Sequence, residues 1–333
     1  MTRPATVEAI PDSALPGIAQ VLDASETLDE ALAKLWRWGW LPSVWMDAPE
    51  VDALLDRVTW LRADRPPEAR AGTFHLGHRV AGSSAQGPPE VGVYLAHRDG
   101  GAASAVVKLA IAADPLRALA FEREQEIASA LAHPRVAKVL EIGETEAFRP
   151  YIALERARWG SVTRYLAERL SSELVVAWLS DVLEGLAHAH GEGICHGDIK
   201  PANLLVCENR RIELTDFGAV ALGELMRNVR LVGTPNYLAP ESQAEGARPT
   251  VASDLYAVGA LAYEMVSGRP LFRRPSLCTL LIAHRTSPVP SLIPRLGIIV
   301  PKGLEPWVRT LVEKDPGRRF PSAEAARTAL SRL

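Results

Sequence analysis

His196-Gly197-Asp198-Ile199-Lys200-Pro201-Ala202-Asn203 leads into the apolar Leu204-Leu205-Val206, and thirteen residues after Asn203 comes Asp216-Phe217-Gly218. One loop therefore carries a carboxylate, an ammonium and an amide, and a second carboxylate follows beyond a short apolar run. Asn203 and Asp216 are oxygen donors of the kind that holds a hard cation such as Mg²⁺.

Outward from these loops the chain changes character. Beyond Glu155 helices dominate, the clearest being Ser172 to His190, where Val175, Trp178, Leu179, Val182, Leu183 and Leu186 recur at helical spacing. The most apolar stretch, Leu255 to Val266, is shorter than the roughly 20 residues of a membrane-spanning helix, and Gly259 and Glu264 interrupt it. It reads as a buried helix. Upstream the period is that of strands. His78 to Ala81, Val91 to Ala96 and Ala105 to Leu109 form an antiparallel meander, and Asp114-Pro115 opens a helix. Val136 to Gly143 and Tyr151 to Glu155 add two more strands.

The expected fold class is α+β and bilobal, with a small antiparallel-sheet lobe over 71–155 and a large helical lobe over 156–333. Residues 1–70 read as a helical extension, with Leu28, Leu32 and Leu35 on one stripe of Glu26 to Trp38 and a second helix from Pro49 through Trp60. Arg65-Pro66-Pro67 reads as a linker. Five of the eight tryptophans, Trp36, Trp38, Trp40, Trp45 and Trp60, fall in the extension and demand burial. A cap on the small lobe would supply it, and so would docking to a protein partner.

A formal net charge of −3 gives no electrostatic case for nucleic acid or an anionic membrane as partner. Met1 to Gly17 lacks the apolar core of a secretory signal, which makes the cytoplasm the expected location. Cys195, Cys207 and Cys278 are odd in number and show no metal-ligand spacing, so reduced thiols are expected.

Further stretches complete a pattern: Ala105-Val106-Val107-Lys108, Tyr151-Ile152-Ala153-Leu154-Glu155-Arg156-Ala157, Gly233-Thr234-Pro235-Asn236-Tyr237-Leu238-Ala239-Pro240-Glu241, Ser253-Asp254-Leu255-Tyr256-Ala257-Val258-Gly259 and Asp315-Pro316-Gly317-Arg318-Arg319-Phe320. With the two loops, they resemble the eukaryotic-type (Hanks-type) serine/threonine protein kinase family, of the kind found in bacteria, from about Phe74 to the C-terminus. The resemblance implies ATP and Mg²⁺ as cofactors and a protein Ser or Thr as substrate. It makes Asp198 the catalytic base, Lys200 the cation beside the transferring phosphoryl group, and Asn203 and Asp216 the metal ligands. Lys108 would contact the α- and β-phosphates, and Leu154, Glu155 and Ala157 would form the hinge that holds adenine. Val93, Gly82, Gly87 and Leu205 would line the nucleotide. Glu241 and Arg319 would form a buried structural ion pair.

Two of these assignments have independent support. Strand alternation puts Val106 on the face of Lys108, where it could touch adenine. At about 100° per residue, Leu116, Ala120, Glu124, Ile127 and Leu131 share one stripe while Glu122 and Glu126 lie opposite. Glu124 is thus the buried carboxylate that needs Lys108.

The sequence also departs from the pattern. Counting back from Val93 puts Val91, Pro88 and Gln86 where a glycine-rich loop has its glycines, and proline offers no N–H to phosphate. A pseudokinase scaffold is therefore a rival reading. Gly197 replaces the arginine that pairs with a phosphorylated activation loop, and Ala219 to Gly233 contains no Ser, Thr or Tyr. Activity independent of loop phosphorylation is expected. Aminoglycoside-type small-molecule kinases share the His-Gly-Asp loop but lack the segment ending at Glu241.

Overall fold

The computed structural model describes residues 4–7, 9–11, 14–25, 28–43, 45–58, 68–81, 91–98, 104–111, 115–217, 233–295 and 299–333. They form two compact units. The first comprises Met1–Gln125, Ala137–Ala167 and Val206–Glu208, and the second comprises Glu126–Val136, Glu168–Leu205 and Asn209–Leu333.

In the first unit three helices precede a sheet: α1 Leu15–Asp23, α2 Leu28–Arg37 and α3 Ala48–Val58. The sequence signalled α2 and α3 but not α1. Ala14 at its N-cap offers no side-chain acceptor, and only nine residues carry its apolar face. Ile18, Ala19 and Leu22 of α1 are nonetheless buried with Leu32 and Leu35 of α2 and Leu54 and Leu55 of α3. Burial of this shared face stabilises helices too short to persist alone. Trp36 and Trp40 pack against this cluster, whereas Trp38 stays more than half exposed. Trp60 and the linker lie outside the described residues.

The sheet has six strands: β1 Arg70–Ala71, β2 Phe74–Ala81, β3 Val91–His97, β4 Ala105–Ala110, β5 Val139–Glu144 and β6 Pro150–Glu155, in the order β1-β2-β3-β4-β6-β5. All neighbours are antiparallel. One correction concerns β5, which begins at Val139 and not Val136. Val136 makes a parallel bridge to Leu214, with Arg135 accepting the Leu214 N–H at 2.8 Å. Tyr94, Ala96, Ala105, Val107, Leu109, Tyr151 and Ala153 form a core on one face. The register puts Val93 opposite Lys108, and Leu95 opposite Val106, which pairs in turn with Leu154, so the other face carries the candidate site. Helix α4, Pro115–Ala130, lays Phe121 against Ala110 and Ile152.

In the second unit α5, Ser172–Gly191, is capped by Ser171, which accepts the Leu174 N–H. Strands β7 Leu204–Val206, of which Leu204 and Leu205 belong to this unit, and β8 Ile212–Leu214 pair, followed by α6 Val251–Ser267, α7 Leu277–Thr286, α8 Leu304–Leu311 and α9 Ala323–Leu330. Helix α6 is buried almost throughout and ends at Gly268 in the left-handed region. A Cβ at Gly259 would stand 2.7 Å from Leu311 and Val312 side-chain atoms, so only glycine permits this approach of the chain after α8 to α6. Among the described residues no helix is long and apolar enough to cross a membrane. The three cysteines are present as thiols.

Candidate active site

The first unit brings together the residues expected to hold a nucleotide from its side. Lys108 Nζ lies 2.5 Å from Glu124 Oε1, with the two side chains 16% and 9% exposed, while Glu122 and Glu126 face solvent. The pair is nearly dry, so the lysine is held in one direction by its counter-ion. Ala120, Ile127 and Leu131 are buried on the same stripe, as the helical spacing requires. Val93, Val106 and Leu154 are each partly buried on the sheet face of Lys108. Glu155 donates its N–H to Lys138 O at 2.9 Å, and Arg156 donates to Ser104 O at 3.1 Å, which fixes the chain at the first expected adenine contact, Glu155, and between it and the second, Ala157. Gly82 and Gly87, with the irregular loop between them, lie outside the described residues.

The second unit holds the two loops first quoted. Asp198 Oδ2 is 2.6 Å from Lys200 Nζ, and Asn203 Nδ2 donates to the Asp198 carbonyl at 2.9 Å and to Oδ2 at 3.3 Å. With its nitrogen committed in this way, Asn203 has its amide oxygen left to offer a cation. Thr215 donates its N–H to Asn203 O at 3.0 Å, and the next residue, Asp216, takes a positive φ of 68°. Phe217 is buried against the His196 ring, with centroids 4.6 Å apart. An amide oxygen and a carboxylate on adjoining loops suit a hard divalent ion. Leu205, expected at the nucleotide, is partly buried beside Leu204.

The structure adds two residues whose roles spacing could not reveal. Thr234 donates both its N–H (2.8 Å) and its Oγ1–H (2.7 Å) to Asp198 Oδ1, so the segment ending at Glu241 touches the candidate base directly. Asp254, on α6, accepts the N–H groups of His196 and Gly197 at 2.8 Å each and sits 2.9 Å from His190 Nε2. It braces the loop backbone through Gly197, whose φ of 77° suits glycine. Cys195 joins His190 and Asp254 within metal-ligand reach. Asp254 is already engaged by those donors, and burial pushes the Cys195 thiol up to about 11. Tyr237 donates to Glu264, and burial raises both groups, keeping the phenol a donor. A depression beside Asp198 is lined by Gly197, Thr234, Tyr237, Leu238 and Arg248. The expected ion pair forms as well: Arg319 meets both Glu241 oxygens, at 2.6 and 2.9 Å.

The family model of the protein kinase domain matches residues 92–328. The chain belongs to the protein kinase family. It is 32% identical over 220 residues to a probable serine/threonine-protein kinase PknB of Lactococcus lactis, a match covering 65% of this chain and 35% of that protein. It is 32% identical over 255 residues to the serine/threonine-protein kinase PknB of Mycolicibacterium smegmatis, covering 71% and 39%. The serine/threonine-protein kinase PrkC of Bacillus subtilis matches at 32% over 209 residues, covering 61% and 32%. Each match thus takes in less than two-fifths of these relatives' length.

Proposed function

We propose that this kinase transfers the γ-phosphoryl group of ATP, with Mg²⁺, to serine or threonine hydroxyls of proteins. The observation that carries the proposal is the Asp198 carboxylate, placed between the Lys200 ammonium and the two Thr234 donors. A carboxylate so oriented can accept a hydroxyl proton while the adjacent cation answers the charge on the transferring group. The Lys108–Glu124 pair of the first unit would orient the α- and β-phosphates, and the oxygens of Asn203 and Asp216 would hold Mg²⁺, which neutralises phosphate charge when bound. The hinge residues Leu154, Glu155 and Ala157 would receive adenine against Val106 and Val93.

A protein substrate is favoured over a small molecule because the depression at Asp198 is walled by the Thr234-to-Leu238 segment, which a polypeptide could lie along. The relatives' names point the same way. Residues 219–232 lie outside the described residues, and the proposal that they need no phosphate rests on the sequence, which has no Ser, Thr or Tyr acceptor there and glycine in place of arginine at 197. The cytoplasm, where ATP is abundant, is the proposed location.

The test incubates the chain with labelled ATP, Mg²⁺ and a generic basic protein, beside Asp198→Asn. Label on serine or threonine is expected, with turnover of the variant lower by about 10²- to 10⁴-fold. Equal turnover by the two forms, or label only on a small molecule, would refute the proposal. Nucleotide that fails to bind with or without Mg²⁺ would turn the reading to a scaffold.

A further inference from the structure

The extension is bonded to the strand-to-helix connection that follows the hinge. Asp29, near the start of α2, accepts the Ser161 N–H through Oδ2 at 2.8 Å. Arg164, 2% exposed, donates to the Trp159 carbonyl at 3.0 Å and to the Met46 carbonyl of the extension at 2.6 Å, with Asp29 beside it. Trp45 packs on the Tyr165 ring at 4.1 Å, and the Tyr165 hydroxyl also donates to Trp159 O. Asp47 pairs with Arg158 at 3.2 Å. The helical cluster of the extension buries Leu95 and packs against Val80 and Val106, on the sheet face that carries Lys108.

A lid that opens would leave Arg164, Asp29 and this apolar face without partners, at a cost too large for a routine motion. The contact is buried at Arg164 and made from several residues of the extension. It fixes two things next to the proposed adenine position: the chain two to four residues beyond Ala157, and the far side of Val106. Trp159 and Gly160 are further tied to Val206, next in sequence to Leu205, by bonds of 3.2 and 2.7 Å.

We infer that the extension is a built-in wall of the nucleotide site, and that Asp29 is a positioning residue which sets the hinge for adenine by holding Ser161. The inference rests on the kinase reading above. Burial pushes the Asp29 carboxyl up and Arg164 opposes that, so the group sits where loss of its acceptor oxygen is felt.

The test uses the full chain and its Asp29→Ala and Asp29→Asn forms, measuring KM for ATP, kcat on a serine/threonine substrate, affinity for a fluorescent ATP analogue, and melting temperature. Asp29→Ala is expected to weaken analogue binding and raise KM about tenfold, with kcat within about twofold. Asp29→Asn, which still presents an acceptor to the Ser161 N–H, should recover most of that loss. Should Asp29→Ala not fold, Trp45→Leu carries the test, with a rise in KM of about threefold at unchanged kcat. Unchanged KM in a folded variant overturns the inference, as does an Asn form no better than Ala. A fall in KM or tighter analogue binding also overturns it, because the extension would then exclude nucleotide. A wild-type chain that neither binds nor transfers sinks the kinase reading itself, whereas an active wild type with indifferent variants sinks only this inference.

Discussion

Replacing Arg319 by alanine should strip the second unit of a buried cation that is held on several sides. The guanidinium is fully buried, and it donates to both oxygens of Glu241, to Ala252 O at 2.6 Å and to Glu313 O at 2.9 Å, while lying 4.9 Å from the Tyr256 ring centre. Alanine leaves one carboxylate and two carbonyls without that partner. Breaking a buried pair from one side costs about 3–5 kcal/mol, and because Glu241 is 27% exposed and reachable by water, the lower end applies, about 3 kcal/mol. For a unit of this size that is a fall in Tm of roughly 10 °C by calorimetry on the full chain. Arg319→Lys should lose most of the same amount, since one ammonium cannot reproduce a two-pronged contact. A double-mutant cycle with Glu241→Ala should return about 2 kcal/mol of coupling. Turnover should fall with stability, because Glu241 ends the segment that brings Thr234 to Asp198. A Tm loss under about 3 °C, or a lysine variant indistinguishable from wild type, would refute the reasoning.

Three further outcomes are expected. Lys108→Met alone should destabilise the chain by about 3 kcal/mol by removing the counter-ion of the buried Glu124, while Lys108→Met with Glu124→Leu should restore stability without transfer; urea midpoints and label incorporation separate the two effects. Thr234→Val, which keeps the N–H bond to Asp198 but loses the hydroxyl bond, should lower kcat roughly tenfold, with Thr234→Ser near wild type in the same assay. His284 is fully buried, bonded to the Tyr256 hydroxyl at 2.9 Å, and burial followed by the nearby Lys314 charge pushes its pKa down to about 4. Its folded-state pKa lies below the unfolded value of about 6.5, so the stability from neutral His284 is complete above that value and is lost as pH falls toward 4. The loss is on the order of 3 kcal/mol. Unfolding midpoints of wild type and His284→Gln between pH 4 and 7 should show that slope only in the wild type.

Much of this protein was written along the chain. The alternation of Val106 and Lys108, the stripe that picks Glu124 over its two neighbours, and the spacing of Asp198, Lys200 and Asn203 are local properties, because strand and helix periods are set by the backbone alone. Glu241 and Arg319 were legible only through resemblance, being 78 residues apart. Other features could not be read at all. Helix α1 has no side-chain cap and gains its stability from α2 and α3, so its signal exists only once they pack. Val136 left its expected strand because Leu214, far along the chain, offered it a bridge. Thr234 reaching Asp198, Asp254 bracing Gly197 and Asp29 holding Ser161 are side-chain-to-backbone or side-chain contacts across 36, 57 and 132 residues. Sequence determined which chemical groups are present and the local geometry of each element. The tertiary structure decided which donor faces which acceptor, since a buried polar group takes whatever partner the packing of distant elements brings within about 3 Å.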